Sequence, residues 1–319
     1  MAHLIETMAY ANEVPWHGLG NNIDADSTIE EWQRQAGLDW TVSKRPVFFH
    51  QREQDNTFSV AAERHFKDKF VLARDTDNAP FSVVSDRYKP VQPKDVLEFF
   101  RDLISTHGMT IETAGSLKDG KRIWALAKTG DAHKVLGADH VDSYLLLATS
   151  YDLTFSTLAQ FTSVRVVCNN TLQQSMRDFI SRVTIPHFRD FNAAHVHEQL
   201  GLGRAQWGAF SQALDVIAKL KLDSFKAKSV LDKVLKVPED GVPSAARSHV
   251  APILQLFQGK AIGADIAGET GWGLVNAVTE YADQHKRARN QGNRLDSAWF
   301  GEGAALKDAV FQEVLELAA

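Results

Sequence analysis

The sequence predicts an α+β fold: a mostly antiparallel β-meander with packed helices, followed by a helical C-terminal region. Three observations carry this expectation. Alternating apolar and polar runs bounded by turn residues fill the first part of the chain. One amphipathic helix, "QPKDVLEFFRDLISTHG", stands among them. Helical spacing then takes over near residue 185. The chain thus divides into an α+β core domain, 1–185, and a mainly helical region, 186–319, packed on it.

The first helix is expected in "STIEEWQRQAG", where Ser27 and Glu30 form a capping box and Gly37 ends the helix. "WTVSKRPVFF", "FSVAAER", "FVLARD" and "FSVVSD" follow as strands. In the second helix Pro93 fits the first turn and Gly108 the C-cap; Val96, Phe99, Phe100 and Leu103 form one stripe. "MTIETAGSLKDGKRIWALAK" reads as a hairpin turning at Asp119-Gly120, with both central residues at positive φ. "HVDSYLLLATS" and "LAQFTSVRVVC" supply two more strands, paired across "YDLTFS".

A third helix is expected over 171–183. Leu172, Met176, Phe179, Ile180 and Val183 fall on one face, and Thr171 with Gln174, or Asn170 alone, caps the first turn. Beyond it come helices in "NAAHVHEQLGLGRAQWGAFSQALDVIAKLKL", "SFKAKSVLDKVLKV", "AARSHVAPILQLFQ", "GWGLVNAVTEYADQHKRAR" and "GAALKDAVFQEVLELA". "VPEDGVPS", 237–244, has the turn chemistry of a linker.

Composition narrows the function classes. The chain has 319 residues, 44% hydrophobic and 24% charged, which is ordinary for a globular protein. Its formal net charge of -5 excludes a uniformly basic nucleic-acid binder, though not a local basic patch. A single cysteine rules out an internal disulfide framework and multi-cysteine zinc clusters. No apolar run approaches the roughly 18–20 residues of a membrane span, and the N-terminus lacks a signal-peptide pattern. A soluble, cytoplasmic protein is expected.

Cys168, in "FTSVRVVCNNTL", is the one candidate nucleophile. Strand alternation sets it with Val164 and Val166, and no local cysteine-enzyme signature surrounds it, so a core position is the stronger reading. Asn169 and Asn170 turn the strand into the expected helix; a helix N-terminus there is also a candidate phosphate contact. His195 and His197, two apart on a helix, cannot chelate one ion and read as solvated surface residues. His17, in "VPWHGLG", reads as part of a packed N-terminal turn. The Gly-x-Gly occurrences match neither the P-loop nor the dinucleotide fingerprint. No catalytic residue, metal ligand or cofactor is assigned.

Basic residues offer more. "HKRARNQGNR" gathers Lys286, Arg287, Arg289 and Arg294. The first three are expected in the last turns of a helix that begins near Trp272. "KLKLDSFKAKSVLDKVLK" adds six lysines against two aspartates. Two such clusters in an acidic chain suggest a polyanion-binding groove. In "SAWFGEG", Trp299 and Phe300 are candidates either for an interface or for packing onto the chain's own core.

"PWHGLG", "SDRYKPVQPKDVLEFF", "SYLLLATSYDLTFSTLAQFTSVRVVCNNTL" and "GWGLVNAVTEYADQH" with "RLDSAWFGEGAALKDAV" resemble the phage/plasmid-like protein family, known as domain of unknown function family 932. The resemblance runs from Trp16 to about Val310. It implies a setting in phages, plasmids and integrated elements, and hence a bacterial host cell. Many members carry Asp-Gly-Ser where this chain has Asp152-Leu153-Thr154. The order helix (93–107), hairpin (109–128), strand pair (141–168), helix (171–183) is similar to the core of single-strand annealing recombinases of the Rad-fifty-two type. Those proteins set a curved β-meander beside a long helix, form rings and need no ATP.

The expectation is therefore a mobile-element DNA-transaction protein that binds and anneals single-stranded DNA as a homo-oligomer. Arg165, Arg177, Arg182, Lys286, Arg287, Arg289 and Arg294 are its expected nucleic-acid contacts. Two alternatives stand beside it: a non-enzymatic assembly, host-interaction or anti-defence protein, and a hydrolase or nuclease with a non-diagnostic site.

Overall fold

Asp119 and Gly120 lie at φ 57° and 80°, and Lys121 N donates to Lys118 O at 3.2 Å, so the expected hairpin turn is present. It belongs to a computed structural model that describes residues 5–12, 19–51, 62–165, 170–173, 182–200, 203–238, 244–289 and 291–319. Cys168, Asn169, Arg177 and His17 lie outside those residues.

The chain opens with β1 (Ile5–Tyr10), the two-residue β2 (Asn21–Asn22) and α1 (Ile29–Gln35). Thr28, one residue later than expected, caps α1 by accepting from Glu31 N at 3.2 Å. Then come β3 (Val42–Gln51), β4 (Ala62–Arg74) and β5 (Pro80–Ser85), which form a separate three-stranded antiparallel sheet. The expected strands "FSVAAER" and "FVLARD" contribute to one strand, β4. α2 (Pro93–His107) runs as expected, with Gly108 in the left-handed region at φ 66° and the stripe Val96, Phe99, Phe100 and Leu103 buried.

β6 (Thr110–Leu117), β7 (Arg122–Val135), β8 (Asp139–Ser150) and β9 (Thr157–Arg165) form the meander. β10 (Asn170–Gln173) and β11 (Arg182–Ile185) complete an eight-stranded sheet of order β10-β9-β8-β7-β6-β1-β2, with β11 also on β9. All its pairings are antiparallel except β1 with β2.

Here the described ends of the expected helix over 171–183, residues 171–173 and 182–183, are strands instead, and residues 174–181 lie outside the described residues. Residues 170–173 pair with 165–162 and residues 182–185 pair with 160–157. Paired numbers sum to 335 in β10 and 342 in β11, so the two strands meet β9 in registers that differ by seven residues. The physical reason is the edge of β9, whose N–H and C=O groups must be satisfied; tertiary pairing outweighs local helical spacing. Val183 and Ile185 are buried while Arg182 and Thr184 are exposed, the period of a strand.

The remainder is helical, as expected: α3 (Ala193–Leu200), α4 (Gly203–Lys219), α5 (Ser224–Val234), α6 (Arg247–Gln255), the single turn α7 (Ala264–Ala267), α8 (Gly271–Glu280), α9 (Gln291–Phe300) and α10 (Glu302–Ala318). A π-type turn, Tyr281–His285, prolongs α8.

Both faces of the large sheet are covered. Ile123, Ala125, Leu145 and Leu147 pack with Trp32 of α1, Phe99 and Phe100 of α2 and Val196 of α3. On the other face Trp124, Leu126, Leu146 and Leu158 pack against Trp299 and Phe300 of α9. The helical core joins Phe210 and Leu214 of α4, Trp272 and Val275 of α8, and Phe311 and Val314 of α10. Val135 and Val141, at the turn between β7 and β8, enter this core, and Trp272 Nε1 donates to Asp139 Oδ2 at 2.8 Å. α8 is buried over its whole length, and at Gly271 a Cβ would lie 2.5 Å from Val314 Cγ1. No helix among the described residues is long and apolar enough to cross a membrane.

Candidate nucleic-acid interface

The expected basic residues occupy separate environments. The helix from Gly271 ends at the π-type turn, and Lys286 follows it with φ -56° and ψ 129°. Lys286, Arg287 and Arg289 therefore lie in a connecting segment, not in the last turns of a helix. Lys286 Nζ pairs with Glu302 Oε2 at 3.0 Å, and that bond holds the Glu302 carboxyl below its ordinary pKa. Arg287 and Arg289 are exposed, while Arg294 is partly buried in α9. Arg182 is exposed on β11 opposite Gln160; Arg165 ends β9, paired with Val141 and Asn170. The positions of Gln160 and Arg165 are an odd number of residues apart, so strand alternation does not give Arg165 and Arg182 one face. Asn170 begins a strand, so no helix N-terminus offers phosphate its N–H groups at that residue.

His195 is exposed, whereas His197 is partly buried: its Nε2 lies 3.1 Å from Phe99 O and its ring 4.5 Å from that of Phe99. Trp299 and Phe300 pack on the chain's own sheet, with Trp299 edge-on to Trp124 at 5.6 Å and Phe300 stacked on Phe155 at 4.8 Å. Arg122 lies over the same Phe155 ring at 5.4 Å and pairs with Asp152 at 3.3 Å and with Asp296 of α9. Asp152 also receives Thr154 N at 3.2 Å, and Leu153 between them lies at φ 63°. Glycine adopts that conformation without a Cβ penalty, which gives the family's Asp-Gly-Ser a backbone reason. Among the described residues no group of three or more His, Cys, Asp or Glu could hold a metal ion.

An exposed aromatic surface lies at a place where the sequence reading put only strands. β5 pairs with β4 from Lys69 to Ala73. Farther out, Val47–Gln51 and Phe66–Ala62 form a two-stranded ribbon. Its base is fixed. The Gln92 side chain bonds the backbone N–H and C=O of Val42 at 2.9 and 3.1 Å, and Thr41, Ser43 and Arg45 converge on Asp75 at 2.6, 2.6 and 2.8 Å. Those bonds hold the Asp75 carboxyl below its ordinary pKa, the Ser43 hydroxyl first.

Beyond the base, both ribbon faces meet solvent. Register places Val47, Phe49, Arg64 and Phe66 on one face and Phe48, His50, Glu63 and His65 on the other. Phe48, Phe49 and Phe66 are 50%, 48% and 49% exposed. Phe49 meets Phe66 at 6.3 Å and Phe48 meets His65 at 5.3 Å. Half-exposed Phe49 and Phe66 leave about 200 Å² of apolar ring surface on one face, and Phe48 about 100 Å² on the other. β3 and β4 together carry Lys44, Arg45, Arg64, Lys67, Lys69 and Arg74 against Glu63 and Asp68, but Arg45 pairs with Asp75 and the buried Arg74 with Asp77, so six cations face four anions, net +2. The sequence held one signal for this. Adjacent Phe48 and Phe49 must stand on opposite faces of a strand, so the strand is either buried on both sides or exposed on both.

Covered antiparallel sheet, helical layer and a two-stranded ribbon with exposed phenylalanines together define an α+β protein. The chain belongs to the family described as Domain of unknown function (DUF932), whose model matches residues 80–299. The matched span starts at β5 and leaves the β3–β4 ribbon outside it. No curated protein and no solved structure matches the chain.

Proposed function

We propose that the protein binds single-stranded DNA without ATP and promotes its annealing, as a homo-oligomer in a mobile-element DNA transaction. The observation that supports this best is the ribbon, with half-exposed Phe48, Phe49 and Phe66 among cationic side chains. Aromatic rings take base faces of any sequence, at about 1–3 kcal/mol per base, while Lys and Arg track phosphates. Stacking leaves the hydrogen-bonding edges of the bases free, as annealing requires. Arg287 and Arg289 are also exposed, as phosphate contacts would have to be.

The test is fluorescence anisotropy with labelled oligothymidylate and with duplex across a salt series, with and without magnesium. Wild type is expected to prefer the single strand. Phe49→Ala with Phe66→Ala should weaken it by about 5–150-fold per stacked base lost, with the salt slope unchanged. Lys67→Ala with Lys69→Ala should flatten the slope by roughly 0.7 per phosphate contact. Oligonucleotide affinity unaltered in both double variants overturns the proposal, as does preference for duplex or magnesium-dependent cleavage.

A further inference from the structure

The link between α4 and α5 crosses the start of α8. Gly271 N donates to Leu220 O at 2.8 Å, Leu222 N donates to Glu269 O at 3.1 Å, and Lys221 bridges to Thr270. Where this link, α5 and the end of α10 meet, they leave a groove of about 310 Å³. Its floor is aliphatic: Leu222 and Val230 are buried, and Leu317 stands half-exposed at one side. Its rim carries Lys221, Lys226 and Lys233.

Charge in the groove is unbalanced. Residues 219–236 hold six lysines against Asp223 and Asp232. Asp223 is occupied as the N-cap of α5, accepting from Lys226 N at 2.8 Å. Asp232 pairs with Lys228 at 2.5 Å. Lys233 pairs with Glu313, which forms part of the groove, at 2.7 Å. Lys221 and Lys226 make no ion pair among the described residues and are exposed. Phe225, beside Lys226, is 83% exposed.

We propose that this groove docks an acidic linear peptide of a partner protein, with one aromatic or aliphatic side chain on the Leu222–Val230 floor and carboxylates on Lys221 and Lys226. Charge complementarity names the class of occupant. The Glu313–Lys233 pair shows the same kind of contact made internally: a carboxylate in the groove paired with a rim lysine. The groove is concave and aliphatic, with no aromatic plane on which a base would stack. Its volume is at the lower end for a ligand pocket, enough for one large side chain and its neighbours. This inference is independent of DNA binding at the ribbon.

The experiment uses labelled short peptides, a single Phe flanked by aspartates, titrated with the full chain and read by anisotropy. Controls replace the Phe by Ala or the aspartates by Asn. Wild type should bind the parent peptide, and each control should bind at least tenfold more weakly. Lys221→Glu with Lys226→Glu should lose at least tenfold, with the far-UV spectrum unchanged because both side chains are exposed and unpaired. Ser229→Trp, on the groove wall, should also weaken the peptide by obstruction. The ribbon double variant should bind it like wild type, which separates failure here from failure of DNA binding. Equal affinity for the Phe→Ala peptide reduces the site to unspecific charge and overturns the proposal. So does displacement by oligothymidylate from the groove in the ribbon variant, or no binding at millimolar peptide.

Discussion

Lys307 and Asp283 form an ion pair that lets the packing of the helical layer be tested directly. Their side chains are 1% and 7% exposed, and Lys307 Nζ lies 2.7 Å from Asp283 Oδ1. Lys307 also lines a small cavity, about 20 Å³, with Gln160 and Thr162 of β9 and Trp299 of α9. That is room for about one water, so the surroundings hydrate the pair poorly. Each charge alone is costly in such a place; together they offset one another. Asp283→Leu or Lys307→Met alone should therefore cost about 3–5 kcal/mol, because the remaining charge stays buried. Against a typical stability of about 5–15 kcal/mol, either change removes a large share. The double variant, apolar at both positions, should be more stable than either single one and close to wild type. Urea unfolding followed by tryptophan fluorescence reads all three, with Trp299 at the cavity as one reporter. Single changes that cost below about 1 kcal/mol each and add without coupling would refute the reasoning, because the pair would then be solvated.

Other outcomes follow from single positions. Gly120→Val should destabilise by about 1–2 kcal/mol, because φ is 80° there and a β-branched residue resists it; a lower urea midpoint at unchanged slope checks this. Leu153→Gly should raise the thermal midpoint by about 2 °C, since φ is 63° and the side chain is 51% exposed; a fall would show that the leucine packs. Burial holds His187 below the ordinary imidazole pKa, with its ring stacked on Tyr88 at 4.7 Å. The native state then binds fewer protons than the unfolded chain, so stability should be full above about pH 6.5 and fall as pH drops below it. His187→Phe should shrink that fall in a thermal-melt series from pH 7 to pH 5.

Elements whose local signals agreed with their surroundings were legible in the sequence. α2 has a proline at its start, an apolar stripe and a terminal glycine, and nothing in the tertiary structure opposes it. The Asp119-Gly120 turn is similar, because its dihedrals are set by the residues themselves. Residues 170–173 and 182–185 were misread because the deciding partner, the edge of β9, lies elsewhere in the chain. The alternation in Arg182-Val183-Thr184-Ile185 was a period-2 signal, but four residues are too short to outweigh a longer helical pattern. Lys307 carried a signal as well. It falls on the same stripe as Ala304, Val310, Phe311 and Val314, and all five are buried. A lysine at a core position requires a buried anion, but only the fold identifies it as Asp283. Of the groove beside α5 only the lysine cluster was legible, since its hollow forms where residues 220–233 meet Glu313 and Leu317 of α10, distant in sequence.

The covered sheet explains where a partner must bind. Its two faces are occupied, one by α1, α2 and α3 and the other by α9, so neither can receive a strand of nucleic acid. What remains is distributed unevenly in charge. β3 and β4 with their paired Asp75 and Asp77 carry net +2, residues 219–236 carry net +4, and the rest of this chain of net charge -5 carries -11. An acidic body repels polyanions from most of the surface and leaves two cationic islands on it. The islands differ in geometry: ring pairs on the ribbon, and beside α5 an aliphatic hollow that the exposed Phe225 does not line. Rings suit bases and a hollow suits a side chain, so positive charge serves different partners. Raising salt should weaken both, because screening acts on each. Only the ribbon should keep a salt-insensitive part of its affinity for oligothymidylate, contributed by stacking and lost with Phe49 and Phe66.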